Sequence, residues 1–139
     1  MNEAQMERLA ELAHARFADA APASPAAVEW RALDEHTRDA NRAWARFQPT
    51  LAAALGLRIV PREAPGARSR LTPEEVEAGG RIEHLRWARF TRASGRGTHP
   101  DLVEWGELDD ATRELDLMRV RDLPELLAAV GLAVGDADG

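Results

Sequence analysis

The sequence predicts a mainly α-helical fold with short β-strands, made of two copies of one helical unit related by a pseudo-twofold axis. Three observations predict it. Ala, Arg, Leu and Glu dominate, tyrosine is absent and aromatics make up 5% of residues, a helix-favouring mixture poor in strand formers. Capping signals recur ahead of amphipathic stretches. The chain also repeats itself at a nearly constant offset.

The elements follow in order. Asn2 with Gln5 makes a capping box, and Met6, Leu9, Ala10, Ala13, Phe17 and Ala20 form an apolar stripe, so a helix is expected to about Asp19. Two prolines between Ala21 and Pro25 end it. Val28, Trp30 and Leu33 make a short irregular approach. Asp34 then caps a helix over 35–47, which Pro49 breaks or restarts, since proline suits a first helical turn. A short helix over 50–55 ends at Gly56, and Leu57 to Val60 alternates as a strand. Residues 61–70, rich in proline and arginine, read as a linker. Thr72-Pro73-Glu74-Glu75 opens the next helix, which Gly79-Gly80 weakens or divides and which runs to about Ser94. After the loop Gly95 to Pro100, Asp109 caps a helix over 110–121. Asp122-Leu123-Pro124-Glu125 starts a short one to Val130. Leu132 to Val134 is strand-like, and 135–139 is an acidic tail expected to fray.

Composition bounds the function. A chain of 139 residues makes one compact domain or two very small ones. A net charge of −6 argues against binding a nucleic-acid polymer, whose phosphates demand excess cation. Every basic residue is arginine, a planar fork suited to carboxylate or phosphate. Cysteine is absent, which removes disulfides, thiol nucleophiles and thiolate metal sites. No run approaches the ~18 apolar residues of a membrane span. The acidic start, Met1 to Glu7, is unlike a signal peptide, so a cytoplasmic location is expected.

The duplication is specific. At an offset of 75 residues, Pro25 matches Pro100, Val28 Val103, Trp30 Trp105, Leu33 Leu108, Asp34 Asp109, Thr37 Thr112, Arg38 Arg113, Pro49 Pro124 and Gly56 Gly131. The first helices match at an offset of 70, His14 with His84, Arg16 with Arg86 and Phe17 with Trp87. Each copy is near the size at which one core barely stabilises a fold, so the two are expected to bury their apolar faces against each other. Pairing between Leu57 to Val60 and Leu132 to Val134 would cover both strand edges.

Glu83-His84-x-x-Trp87, His99-Pro100-x-Leu102-Val103-x-Trp105-x-x-Leu108, Asp116, and Arg119-x-x-x-Leu123-Pro124-x-Leu126-Leu127-x-x-x-Gly131-Leu132-x-Val134 together resemble the RyR domain, the module named from the ryanodine receptor and also found in bacterial proteins. The resemblance covers Arg81 to Val134 and, through the duplication, more weakly Leu9 to Val60. It implies a tandem arrangement: a first, degenerate RyR-like repeat over 1–60, a linker over 61–71, a second repeat over 72–135 and the tail over 136–139. It also implies a non-catalytic sensor or interaction module, with bacterial relatives in contexts that suggest perception of nucleotide-derived signals, including antiviral defence. The chain departs from the family in its Gly95-Arg96-Gly97-Thr98 loop, which is shorter and lacks the family's aromatics. In the first copy Ser24 replaces the His-Pro histidine and Phe17 replaces the tryptophan.

The candidate site residues cluster around Arg81 to Gly95. His84 and His14 either donate to a ligand or tie their helices to a backbone carbonyl. Trp87, Trp105 and Trp30 either stack on a base or fill the core, and core is the first reading for Trp30 and Trp105. Trp44 is matched by Arg119 and reads as a specific contact or as local packing. Arg86, Arg89, Arg92 and Arg96 form the densest basic cluster, and the last three share a helical face. They either hold a phosphate or carboxylate or pair with Glu83, Asp101 or Glu104. His99 joins His84 as a candidate donor to a sugar or base edge. The histidines show no metal-ligand spacing, and no nucleophile motif is present, so neither metal, cofactor nor catalysis is expected. The expected partner is a small, anionic, nucleotide-derived ligand, with an effector protein possible, bound in the cleft between copies or under the Gly95–His99 loop by a monomer (an internal pseudo-dimer) or a homodimer. The alternative is a protein-interaction module, which predicts an exposed apolar patch and no deep polar pocket.

Overall fold

The helices are α1 (Glu3–Ala20), α2 (Glu35–Ala54), α3 (Pro73–Ala93), α4 (Asp110–Arg121) and α5 (Leu123–Ala128), and the strands are β1 (Leu57–Pro61), β2 (Ala67–Arg68) and β3 (Leu132–Asp136). These come from a computed structural model that describes residues 1–137. The fold is mainly helical with one small antiparallel sheet, ordered β1-β3-β2.

Local chemistry sets the helix starts. Asn2 and Gln5 exchange hydrogen bonds at the head of α1, and Thr72 and Glu75 do the same at α3. Each box satisfies backbone donors that the first turn would otherwise leave free. Asp34 and Asp109 cap α2 and α4 by accepting the N–H of Thr37 at 2.8 Å and of Thr112 at 2.7 Å.

The two copies are related by a pseudo-twofold axis through the sheet. In the β1–β3 ladder Ile59 lies opposite Val134, Leu57 opposite Asp136 and Pro61 opposite Leu132. Ile59 and Val134 are equivalents at the 75-residue offset, so this register maps onto itself when the copies are exchanged. Other details repeat. Single 3-10 turns occupy Trp30–Ala32 and Trp105–Glu107, and Arg38 and Arg113 each donate to the carbonyl of the tryptophan in their own turn at 3.3 Å. Gly56 and Gly131 take positive φ, 75° and 80°, at the helix-to-strand corners, where a side chain would be strained.

Packing joins the copies into one core. Helix α1 packs on α2 and α3 on α4, while α2 meets α3 and α1 meets α4 and α5 across the axis. The main apolar cluster takes Leu9, Ala13 and Trp44 from the first copy and Leu123, Leu127 and Val134 from the second. Burying these shared faces is what makes two units of about 60 residues stable together.

Several expectations are corrected. Helix α2 does not break at Pro49 but runs unbroken to Ala54. Proline removes one backbone donor, and α2 accommodates that loss with its flanking turns intact and Leu51 and Ala52 buried beyond it. At the equivalent Pro124 the second copy does break, at Asp122, into α4 and α5. Gly79 and Gly80 do not divide α3. They let it approach α4: a Cβ on Gly79 would lie 2.6 Å from Val120 Cγ1, and one on Gly80 would lie 2.8 Å from Leu117 Cδ2. The stretch read as linker contributes β2, which lies on the other side of β3 from β1. Gly135 and Asp136 extend β3 instead of fraying, with Gly135 buried. The last two residues of the expected tail lie outside those described. Among the described residues, no helix is long and apolar enough to cross a membrane.

Candidate functional site

A cavity of about 520 Å³ opens where the two copies face each other. Its walls come from equivalent positions: His14 and His84, Phe17 and Trp87, Ser24 and His99, Thr37 and Thr112, Ala40 and Leu115, Asn41 and Asp116. It therefore straddles the pseudo-twofold axis. Its two sides differ in chemistry, because most of the ionisable groups are on the second copy.

The histidines of the first and third helices have structural partners. His14 Nε2 lies 2.7 Å from the Val28 carbonyl and His84 Nε2 lies 2.6 Å from the Val103 carbonyl. Each donates its ring N–H there and ties a helix to the approach segment of its own copy. His84 also stacks on Trp87, with ring centres 5.8 Å apart and 20° between planes. His99 meets Trp87 edge-on at 5.0 Å. The His99 Nδ1 accepts the Asp101 N–H at 3.1 Å, which leaves Nε2 as the ring's remaining polar atom. Trp87 thus contacts two imidazoles and lines the cavity.

Among the arginines, the helix turns decide. Arg86 reaches the cavity but is committed: it donates to both Glu83 oxygens, at 2.9 and 2.7 Å, and both side chains are nearly buried. Arg89, Arg92 and Arg96 are exposed and do not line the cavity. Arg89 follows Trp87 by two residues, which puts it on the opposite side of α3. Trp105 and Trp30 also lie outside. Trp105 is buried beside Gly80 and donates its indole N–H to Glu77 at 3.2 Å. Trp30 is partly buried with the Arg42 guanidinium 5.5 Å from its ring centre. The structure brings together His14, His84, Arg86, Trp87 and His99, and leaves apart Arg89, Arg92, Arg96, Trp30 and Trp105.

Two cavity groups on α4 were not singled out as site residues. Arg119 stacks on buried Trp44 and donates to Asn41 Oδ1 at 3.0 Å. Burial holds its guanidinium below the ordinary arginine value. Asp116 receives no hydrogen bond from any described residue. Burial, reinforced by the nearby Glu83 carboxylate and opposed by Arg119 and Arg86, pushes its carboxyl up to about 7. The signal for both was present: polar residues in mid-helix at positions equivalent to Asn41 and Trp44, on a face that must pack against the other copy.

Scanned against protein-family models, the chain matches none. Compared with curated proteins, it again finds no match.

Proposed function

We propose that the chain is a non-catalytic module that binds one small, nucleotide-derived ligand in the cleft between its two copies, as a sensor or a sequestering subunit. The observation that carries this reading is the cavity on the pseudo-twofold axis, where an aromatic ring, Trp87, and a carboxyl with no hydrogen-bond partner among the described residues, Asp116, line one space. Its volume falls within the range that takes a nucleotide-sized ligand. Stacking on Trp87 would contribute ~1–3 kcal/mol to holding a base. The anionic end of the ligand would point outward. Glu83, Asp101 and Asp116 disfavour a phosphate inside, whereas Arg92 and Arg96 are exposed at and beyond the end of α3. The resemblance of Arg81 to Val134 to the RyR domain supplies the role in signalling or bacterial defence, with an effector protein downstream.

A thermal-shift screen against mononucleotides, cyclic dinucleotides, ADP-ribose and its cyclic forms tests this. A ligand at 100 times its dissociation constant adds ~2.7 kcal/mol, a rise of several degrees for a domain of this size. A saturable rise with one chemical class is the expected result. A flat screen at millimolar ligand would overturn it in favour of a protein-interaction module.

A second reading has one observation in its favour. A carboxyl titrating near 7 in a cavity is suited to general acid–base work. Chromatography of the bound ligand after prolonged incubation separates the two: a binder returns it unchanged, and a catalyst does not.

A further inference from the structure

The duplication gives the cavity two equivalent sides, and their differences specify what it selects. Asn41 of the first copy is satisfied. Its Nδ2 donates to the Thr37 carbonyl at 2.9 Å and its Oδ1 accepts from Arg119. Asp116, its equivalent, has two acceptor oxygens and no donor among the described residues. The cations nearest to it are spent elsewhere, Arg86 on Glu83 and Arg119 on Asn41 and Trp44. A carboxylate so placed lacks two donors, and a ligand can supply both if it carries them side by side. A phosphate cannot, because it offers only acceptors. The flat ring of Trp87 in the same cavity calls for the donors to be borne on an aromatic ring.

We infer, resting on the binding reading above, that this end of the cavity selects guanine, whose ring N1–H and exocyclic amine both donate to Asp116 while its face lies against Trp87. Adenine offers one donor and one acceptor on the corresponding edge and fits only a protonated carboxyl. Hypoxanthine keeps the N1–H and lacks the amine. Xanthine replaces the amine with an oxygen and meets the carboxylate with repulsion.

Titration calorimetry with GMP, IMP, AMP and XMP tests the assignment. GMP is expected to bind tightest, with IMP weaker by about tenfold for the loss of one hydrogen bond to a charged group. In Asp116→Asn, the amide donates where the carboxylate accepted, so the order is expected to reverse in favour of XMP. The pH profile is a second readout on the native chain. Two ligand donors require the ionised carboxylate, so GMP affinity rises about tenfold from pH 6 to pH 8, whereas an adenine mode would fall. Glu83 and Arg86 from α3, Arg119 from α4, Asp101 and His99 from the loop, and His14 and His84 also face this space. Of these His99 is the exposed histidine, so His99→Gln should keep the rise, and its loss there would overturn the assignment to Asp116. AMP binding as tightly as GMP, or affinity falling with pH, overturns the guanine assignment and leaves the small-ligand reading intact. No binding by any nucleotide overturns both.

Discussion

The Arg119 guanidinium lies 5.4 Å from the centre of the Trp44 ring, and the two residues hold equivalent positions in the two copies. A symmetric pair would place like on like at this point of the interface. Two arginines would repel in a partly buried site, and two tryptophans would give up the hydrogen bond that Arg119 makes to Asn41. The two copies meet here instead through a cation–π pair between equivalent positions.

That pair should be energetically coupled. Trp44 is fully buried, so Trp44→Ala is expected to cost ~3–5 kcal/mol by denaturant unfolding. In a double-mutant cycle with Arg119→Met, a coupling of about 0.5–2 kcal/mol is predicted. Strict additivity would show that the stacking contributes nothing.

Asp116 should make folding weaker as pH rises. Its folded pKa of about 7 lies above the ordinary 3.8, so the native state binds more protons than the unfolded chain between these values. Stability from this group is therefore fully present below about pH 4, is lost progressively through pH 7 and is level above it. Asp116→Asn removes the penalty. Relative to the native chain it is expected to gain on the order of 1–4 kcal/mol at pH 8, and the gain should shrink toward pH 4. Equal stabilities at pH 8 and pH 4 would argue that the carboxyl is well solvated.

Gly79 and Gly80 should tolerate no side chain. Alanine normally favours a helix interior by ~1 kcal/mol over glycine. Here the added Cβ would press on Val120 and Leu117, so Gly79→Ala and Gly80→Ala are each expected to lower stability by about 1–3 kcal/mol. A rise in melting temperature would place α3 and α4 farther apart than described.

His14 and His84 should behave as matched fold residues. Each supplies one hydrogen bond to a carbonyl of its own copy, so His14→Ala and His84→Ala should both destabilise by about 1–3 kcal/mol. His84→Ala should in addition loosen Trp87, readable as a shift of the Trp87 indole N–H resonance that His14→Ala, whose ring neighbours are Phe17 and Trp30, lacks. Identical spectra would separate His84 from the Trp87 wall.

Much of this was legible from the chain because its causes are local or repeated. The capping boxes at Asn2 and Thr72 act within a few residues, and the 75-residue offset foretold that β1 would pair with β3. What stayed hidden depends on distant contacts. Pro49 and Pro124 read alike, yet α2 passes through the first and the second copy breaks just before the second, and the two residues of β2 are a strand only because β3 lies beside them. The glycine pair looks like a helix breaker until α4 is placed against it. In the site, Trp87, His84 and His99 announced themselves by residue type. The Arg89, Arg92 and Arg96 face looked like an anion site, but helix geometry turns Arg89 away from the cavity, and Arg96 lies beyond the end of α3 rather than on a shared helical face. Asp116 became conspicuous only when the guanidinium groups of Arg86 and Arg119 were found to be engaged elsewhere.

The most direct test is a nitrogen–proton correlation spectrum of the labelled chain titrated with GMP, following the four tryptophan indole N–H signals. Saturable movement of Trp87, with buried Trp44 and the Glu77-bonded Trp105 moving less, is the predicted result. Four signals unmoved at millimolar GMP would contradict the guanine assignment, and movement confined to Trp30 would contradict a ligand site between the copies.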